Sequence, residues 1–334
     1  MNTKHTLLRS AALAAFATLA ASNLALAQTG PDLLLTSFED GKFTKGSANY
    51  IYVFDGETDN DDADAQLSIY SANGMAKLDL DSLARGLDLN RAQPRGGFEY
   101  TMIHVDSDDN AIPEQMTDAS IGIGLGIGKG ERWVAGLSVA LGHASTNTFG
   151  DGNGWYGKAD IAVGYTIDEK QSIGFILDYD GNRTFYPDIP LPGFVYKRTL
   201  NDQTKISVGF PYTDLEYKPD DRWTVALRYV IPDSGEATVE FKAAEALRIY
   251  ASYSSMSEAF HWNELSNDND RVLFFQSRVE LGLRGTYNDS FSFIVAGGYA
   301  FGQQFEVGYD STDTDLLAEL SDEPFARVAF QLDF

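Results

Sequence analysis

The sequence predicts an all-β fold, a transmembrane antiparallel up-and-down β-barrel of about 14 strands (roughly 12 to 16), and three observations predict it. First, apolar residues recur at every second position in runs of about ten residues, the length a tilted strand needs to cross a bilayer. Second, the final segment, residues 325 to 334, alternates as well: Ala326, Val328, Phe330, Leu332 and Phe334 share one face, and Arg327, Ala329, Gln331 and Asp333 share the other. Third, no stretch after residue 28 approaches the roughly 20 apolar residues of a transmembrane helix. The mean hydropathy of −0.23 would ordinarily describe a soluble chain, but in a barrel only alternate residues meet lipid, so whole-chain hydropathy is diluted by the inner face.

The strands follow in order. Odd positions carry Ile121, Ile123, Leu125 and Ile127; Trp133, Ala135, Leu137, Val139 and Leu141; Trp155, Ala159, Ile161, Val163 and Tyr165; then Ile173, Phe175, Leu177 and Tyr179. The same parity continues through Trp223 to Ile231, Ala237 to Phe241, Leu247 to Tyr253, Leu273 to Leu283 and Phe291 to Phe301. Even positions between them include Gly122, Gly124, Gly126, Gly128, Gly136, Ser138, Lys158, Asp160, Gly164, Gly174 and Asp178. Aromatic residues cluster near the run ends, as interfacial girdles require. The last strand has the opposite parity, so Arg327 points inward there. Ala48 to Asp55 and Asp64 to Ser71 add a candidate pair of strands, and 75 to 89 reads either as a hairpin or as a short helix with Leu80, Leu83, Ala84 and Leu87 on one face.

At the N-terminus, Lys4 and Arg9 precede an Ala/Leu-rich run, Ala11 to Ala21, and Ala25-Leu26-Ala27 gives a small-x-small cleavage pattern. This is the pattern of a secretory signal peptide, residues 1–27. The expected organisation is then an N-terminal segment, 28–96, supplying first strands or a plug, and a barrel over 97–334. Cysteine is absent from the chain, which excludes both a lipoprotein anchor and a disulfide framework. With Lys4 and Arg9 removed, 23 basic residues face 49 acidic ones, a net charge of −26 that excludes nucleic acid as a partner. The acids cluster in 55–64, 106–109, 268–270 and 310–315, which read as loops.

The closing strand with its terminal Phe334 resembles those of Gram-negative outer-membrane β-barrels, where Phe330, Leu332 and Phe334 would serve as an assembly signal for the barrel-assembly machinery. The whole pattern is similar in style to porins. That resemblance implies the cell outer membrane, with its lipids and lipopolysaccharide, as surroundings. It also puts the C-terminus at the periplasmic side, so 303–324, 255–270, 181–192 and 143–154 fall outside as long loops. Short turns at 287–290, 244–245, 168–169 and 129–130 fall inside, and the alternation holds only if 213–218 is a short strand turning at Pro219-Asp220-Asp221.

The inward positions carry the candidate functional residues: Lys158, Asp160, Asp178, Arg228, Glu240, Lys242, Arg248, Arg278, Glu280, Arg284 and Arg327. Opposed charged rows lining a lumen set a field that selects solutes, so the first reading is a porin-like passive channel for small hydrophilic solutes. The alternatives are a salt-bridged structural lumen, a transporter of hydrophobic compounds with an N-terminal plug, and an outer-leaflet lipid hydrolase. The last rests on Gly142-His143-Ala144-Ser145, which resembles the His-x-Ser pair of outer-membrane phospholipase A and lipid A deacylases. That likeness implies His143 as general base to Ser145, with Asn153 or Asp151 orienting the imidazole. Both side chains are expected to face lipid. The chain has Thr146 where those families place Asn. The glycine run Gly122 to Gly130 lacks a following helix and is no dinucleotide fingerprint; it permits close approach of a lumen-packed group. The acidic loops lack the glycine and glutamate of a calcium-binding loop, and His104 and His261 are isolated, so neither metal nor cofactor is expected.

Overall fold

The computed structural model describes residues 29, 31–35, 42, 44–59, 63–78, 94–108, 111–129, 132–231 and 234–334. The expected signal peptide, 1–27, and most of the 75–89 segment lie outside the described residues. The strands are β1 (Thr44–Glu57), β2 (Asp64–Lys77), β3 (Arg95–Ser107), β4 (Gln115–Lys129), β5 (Trp133–Ser145), β6 (Trp155–Asp168), β7 (Gln171–Asp180), β8 (Leu191–Asn201) and β9 (Thr204–Phe210). They continue with β10 (Tyr212–Tyr217), β11 (Trp223–Val230), β12 (Ser234–Ala244), β13 (Leu247–His261), β14 (Arg271–Asn288), β15 (Phe291–Asp310), β16 (Asp313–Leu320) and β17 (Glu323–Asp333).

All neighbours around the wall are antiparallel and sequential. β15 pairs over 291–300 with β17 and over 303–310 with β16, so β16 and β17 are two lengths of one stave. The ring therefore has 16 staves. It closes where β17 pairs with β1 in the register Ala48↔Phe330 and Tyr50↔Val328. At the seam Thr44 and Phe334 exchange backbone hydrogen bonds of 2.8 Å in both directions. Sixteen strands 4.8 Å apart, tilted as barrels require, enclose a ring about 30 Å across.

The period-two pattern is what fixes which face meets lipid. Ile121 is 68% exposed and Leu281 65%, and cross-strand partners such as Ile123↔Val139, Ile161↔Leu177 and Val295↔Val328 continue the belt around the wall. Aromatic pairs border it at the short-turn end: Trp133 with Tyr165 at 4.5 Å between ring centroids, and Trp223 with Phe241 at 4.8 Å. A belt of exposed apolar side chains bordered by aromatic pairs, on a closed sheet with no free edge, is the wall of a transmembrane barrel of the outer-membrane type.

The wall is uneven in height. β15 has 20 residues and β10 has 6. The short strand expected at 213–218 is β10, but few residues separate the outer ends of β9 to β12: β9 ends at Phe210 and β10 begins at Tyr212, and β11 ends at Val230 and β12 begins at Ser234. Long outer loops are therefore not the rule on that side. Nor is 303–324 a loop: β15 continues to Asp310 and β16 returns antiparallel. The sequence alternates there too, but with the opposite sense. Gly302 has φ +57°, a conformation in which L side chains are strained, and beyond it Gln303 and Phe305 are buried on the inner side where Val295 and Tyr299 had faced out. The parity is reversed over 303–305, and a register shift at Phe305/Glu306 precedes its return by Tyr309, which faces out again.

The register gives a direct test. An arginine at Leu281, on the lipid side, should destabilise the folded barrel by about 2 to 4 kcal/mol, whereas Thr224→Arg, on the inner side, should cost about 1 kcal/mol or less. Heat-modifiable mobility and urea unfolding in detergent or lipid would read both. Deleting Phe334, which removes both hydrogen bonds of the seam exchange with Thr44, should lower the yield of folded barrel in the outer membrane.

Candidate solute pathway through the barrel

The outer mouth is closed by the wall itself. β5 and β13 are eight staves apart in a ring of 16, hence diametrically opposite, yet His261 pairs with Ser145 and the Thr146 amide donates to the His261 carbonyl at 2.9 Å. The outer ends of β13 to β15 lean across the lumen. They meet the connection between β7 and β8 on the far side: Asn182 Nδ2 donates to the Ala259 carbonyl and to Asp118 Oδ2, each at 3.0 Å. The Ser311 amide donates to the Thr184 carbonyl at 2.8 Å. Arg271, 7% exposed, is the hub; it donates to the carbonyls of Tyr309 and Arg183 and to Asn182 Oδ1. Asp151 binds His261 Nδ1 through its carboxylate.

Below this cover lies a dry apolar layer. Ile51, Val53, Leu67, Ile69, Ile103, Val105, Phe260, Phe274 and Phe305 are each 2% exposed or less, and Phe274 lies 4.9 Å from Phe305 between ring centroids. They occupy inward positions, where a water-filled pore would carry polar groups. The sequence signal for this layer is apolarity on both faces of a strand, as in Tyr50-Ile51-Tyr52-Val53-Phe54 of β1.

The same cover accounts for His143 and Ser145. Both were expected to face lipid; they are 1% and 0% exposed. His143 does sit on the outward parity, opposite Trp155, but the segment 146–154 folds over it. Its ring packs 5.2 Å from Phe149 and 5.0 Å from Trp155, and its Nε2 bonds the Asp151 carbonyl oxygen at 2.8 Å. Ser145 Oγ donates to the Asn147 carbonyl at 2.7 Å. The Asn153 amide donates to Asp151 Oδ1. The three residues thus hold the loop rather than one another.

Further down, charged residues at positions alternating with the lipid-facing ones form ion pairs along the wall, and they segregate by charge. On β3 to β7 acids dominate: Lys158 bridges Glu99 and Asp180, each at 3.4 Å. Asp160 accepts from Ser138 at 2.6 Å and lies opposite Asp178, which is paired with Arg183. On β8 to β17 cations dominate. Glu240 holds Arg248 at 2.7 Å and Arg284 at 2.8 Å; Arg228 binds Asp214 at 3.0 Å; Lys242 binds Glu245 at 2.8 Å. Glu280 gathers Arg327 at 2.6 Å, Tyr250 at 2.8 Å and Ser252 at 3.2 Å. Arg278 lies among them with its Nη1 buried and without a hydrogen-bond partner.

Sequence reasoning missed Glu99, Asp118, Asp180, Lys197, Asp214 and Glu236. Lys197 is odd-numbered yet inward, because β8 enters from the long 181–190 connection with its parity reversed. Phe194 and Leu200 face out there, and Val195 and Lys197 face in. Parity can be counted through a strand, but not through a loop.

At the level of the polar rows and below, the N-terminal segment enters the lumen. Thr29 Oγ1 donates to Glu99 Oε2 at 2.8 Å and contacts Ser120 Oγ at 2.9 Å. A short helical turn, α1 (Asp32–Leu35), follows. Leu33 lies against Gly122 and Gly124, where any Cβ would come within 3.0 Å and 2.8 Å of it, and Leu34 against Gly136. Arg95 Nη1 donates to the Leu33 carbonyl at 3.4 Å. The glycine run thus makes room for the chain's own segment.

No family model matches the sequence, and no curated protein matches it. Among solved structures, the chain is similar to a TodX deltaS2S3 mutant monoaromatic hydrocarbon channel, with 11% identity, TM-score 0.40, and coverage of 89% of this chain and 91% of that one. It is similar to the Pseudomonas putida toluene transporter TodX, with 10% identity, TM-score 0.37 and coverage of 87% and 90%. For the Acinetobacter baumannii outer membrane protein Omp33 the values are 8%, 0.34, 89% and 100%. The architecture described above stands on the barrel's own hydrogen bonding.

Because Arg271 ties the leaning strands to the opposite side of the mouth, Arg271→Ala should raise the open fraction in planar-bilayer recordings several-fold while leaving the transmembrane belt folded. A net loss of about 1 kcal/mol, the worth of one such hydrogen bond, already moves a two-state equilibrium about fivefold, so several-fold is the lower bound.

Proposed function

We propose that the protein is a gated outer-membrane channel for small hydrophilic solutes, closed in this conformation by its outer cover and by the N-terminal segment. One observation carries the reading: the lumen wall holds charged rows of opposite balance on opposite sides, with several buried polar atoms facing the interior and lacking protein partners. Asp214 Oδ2, Glu236 Oε2 and Arg278 Nη1 are among them. Leaving such a group dry costs about 1 to 3 kcal/mol, more if charged, so these rows are built to face water or a polar solute. A transverse field across a wet lumen orders dipolar permeants and sets ion preference. Phe330, Leu332 and Phe334 point outward on the closing strand, 46%, 39% and 58% exposed, where the assembly machinery can read them and lipid or lipopolysaccharide surrounds them.

A second reading, transport of hydrophobic compounds, is favoured by the dry layer around Phe274 and Phe305. It differs in what opening exposes: an apolar path rather than a charged one.

The two are separated by ion selectivity. Arg284→Gln and Arg248→Gln each remove a cation from the basic wall, and reversal potentials in a salt gradient should shift toward cations. Unchanged selectivity in open channels of both variants would place the conduction path away from the charged rows and sink the hydrophilic-channel reading.

A further inference from the structure

The strongest feature left unexplained is a single cross-strand row on the basic wall. Successive register partners run Asp214↔Arg228, Arg228↔Glu236, Glu236↔Ser254 and Ser254↔Arg278 across β10 to β14. Within it Arg228 and Asp214 satisfy each other through one carboxylate oxygen, while Asp214 Oδ2 is left buried and unpartnered. Glu236 accepts from Thr238 at one oxygen and has nothing on the other. Arg278 is 7% exposed and its Nη1 has no partner.

Two of these orphans are a cation and an anion held apart by design of the sheet. Glu236 and Arg278 flank Ser254 on alternate strands, so their backbones are about 10 Å apart, and the hydroxyl of Ser254 lies between. The nearest carboxylate to Arg278 on its own strand, Glu280, is engaged by Arg327, Tyr250 and Ser252.

Resting on the channel reading, we infer that this row is a recognition site for small zwitterions bearing a carboxylate and an ammonium group, α-amino acids in chemical class. The carboxylate lies on Arg278 and the ammonium on Glu236, two strands away across Ser254. A simple anion would satisfy Arg278 but add repulsion at Glu236 and Asp214; a simple cation would do the reverse. Only a solute carrying both groups satisfies both orphans, and this is how a site discriminates by leaving the wrong partner's charges unpaired.

The test is calorimetric titration of the detergent-folded full chain with L-alanine, acetate and methylammonium. Alanine should bind at least about tenfold more tightly than either half-molecule, and Arg278→Gln and Glu236→Gln should each weaken it by about tenfold or more. Absence of alanine binding overturns the proposal, as does binding of acetate equal to that of alanine, which would mark a plain anion site. The comparison of three solutes on the unaltered protein holds even if a variant fails to fold. Binding is read at equilibrium and needs no conduction. A barrel that binds alanine but never conducts, even with Arg271→Ala, refutes the channel while leaving the site intact; one that conducts but binds nothing refutes the site alone.

Discussion

A ring of 16 staves is too wide for its own side chains to fill, and the interior of this barrel is organised by that constraint. Eight strands close on a packed interior and 16 or more leave an aqueous space. Here the space is divided by height. At the outer end the wall leans until opposite sides touch, so that Phe274, Phe305 and their neighbours pack as a soluble core would. Lower down, where the walls stay apart, charged residues pair along each wall because the distance across the lumen is beyond their reach. The segment around Leu33 takes up part of the remaining width against a strip of glycines. Each device answers the same geometrical problem with the residues available at that height.

This division explains what was legible in the sequence. The lipid face was legible because lipid imposes one demand on every outward position; Ile161, Leu227 and Leu281 need no tertiary context to be placed. Lumen charges on strands whose parity was counted directly, such as Arg284 and Glu240, were legible for the same reason. The cover was not, because it depends on contact between strands eight apart and on a parity reversal at Gly302 that changes no residue's hydropathy. His143 shows the cost: its outward parity was read correctly, and only the fold of 146–154 over it removes it from the lipid. The glycines at 122, 124 and 136 announced a close approach, but only the structure names Leu33 and Leu34 as the groups that approach.

The same arrangement ties stability to function. The belt and the seam at Thr44 and Phe334 hold the ring, and neither depends on the cover. The cover is held by backbone hydrogen bonds at Thr146 and Ser311, the Arg271 hub, the Asp151 to His261 contact and the apolar layer of Phe260, Phe274 and Phe305 beneath it. An equilibrium between leaning and upright strand ends would therefore expose the lumen without disturbing the transmembrane wall. The polar rows, with their unpartnered atoms, would then meet solute as soon as the ends part.

The central claim is that contact between opposite walls, at Ser145 and His261, closes the lumen. The chain contains no cysteine, so Ser145→Cys with His261→Cys introduces a lone pair at positions that face each other as backbone bridge partners. Single-channel conductance of this double variant, under oxidising and then reducing conditions, tests the claim most directly. The account predicts that the disulfide forms readily, that the oxidised protein does not conduct and that reductant restores openings. A cross-linked protein that conducts as well as the reduced one would contradict it.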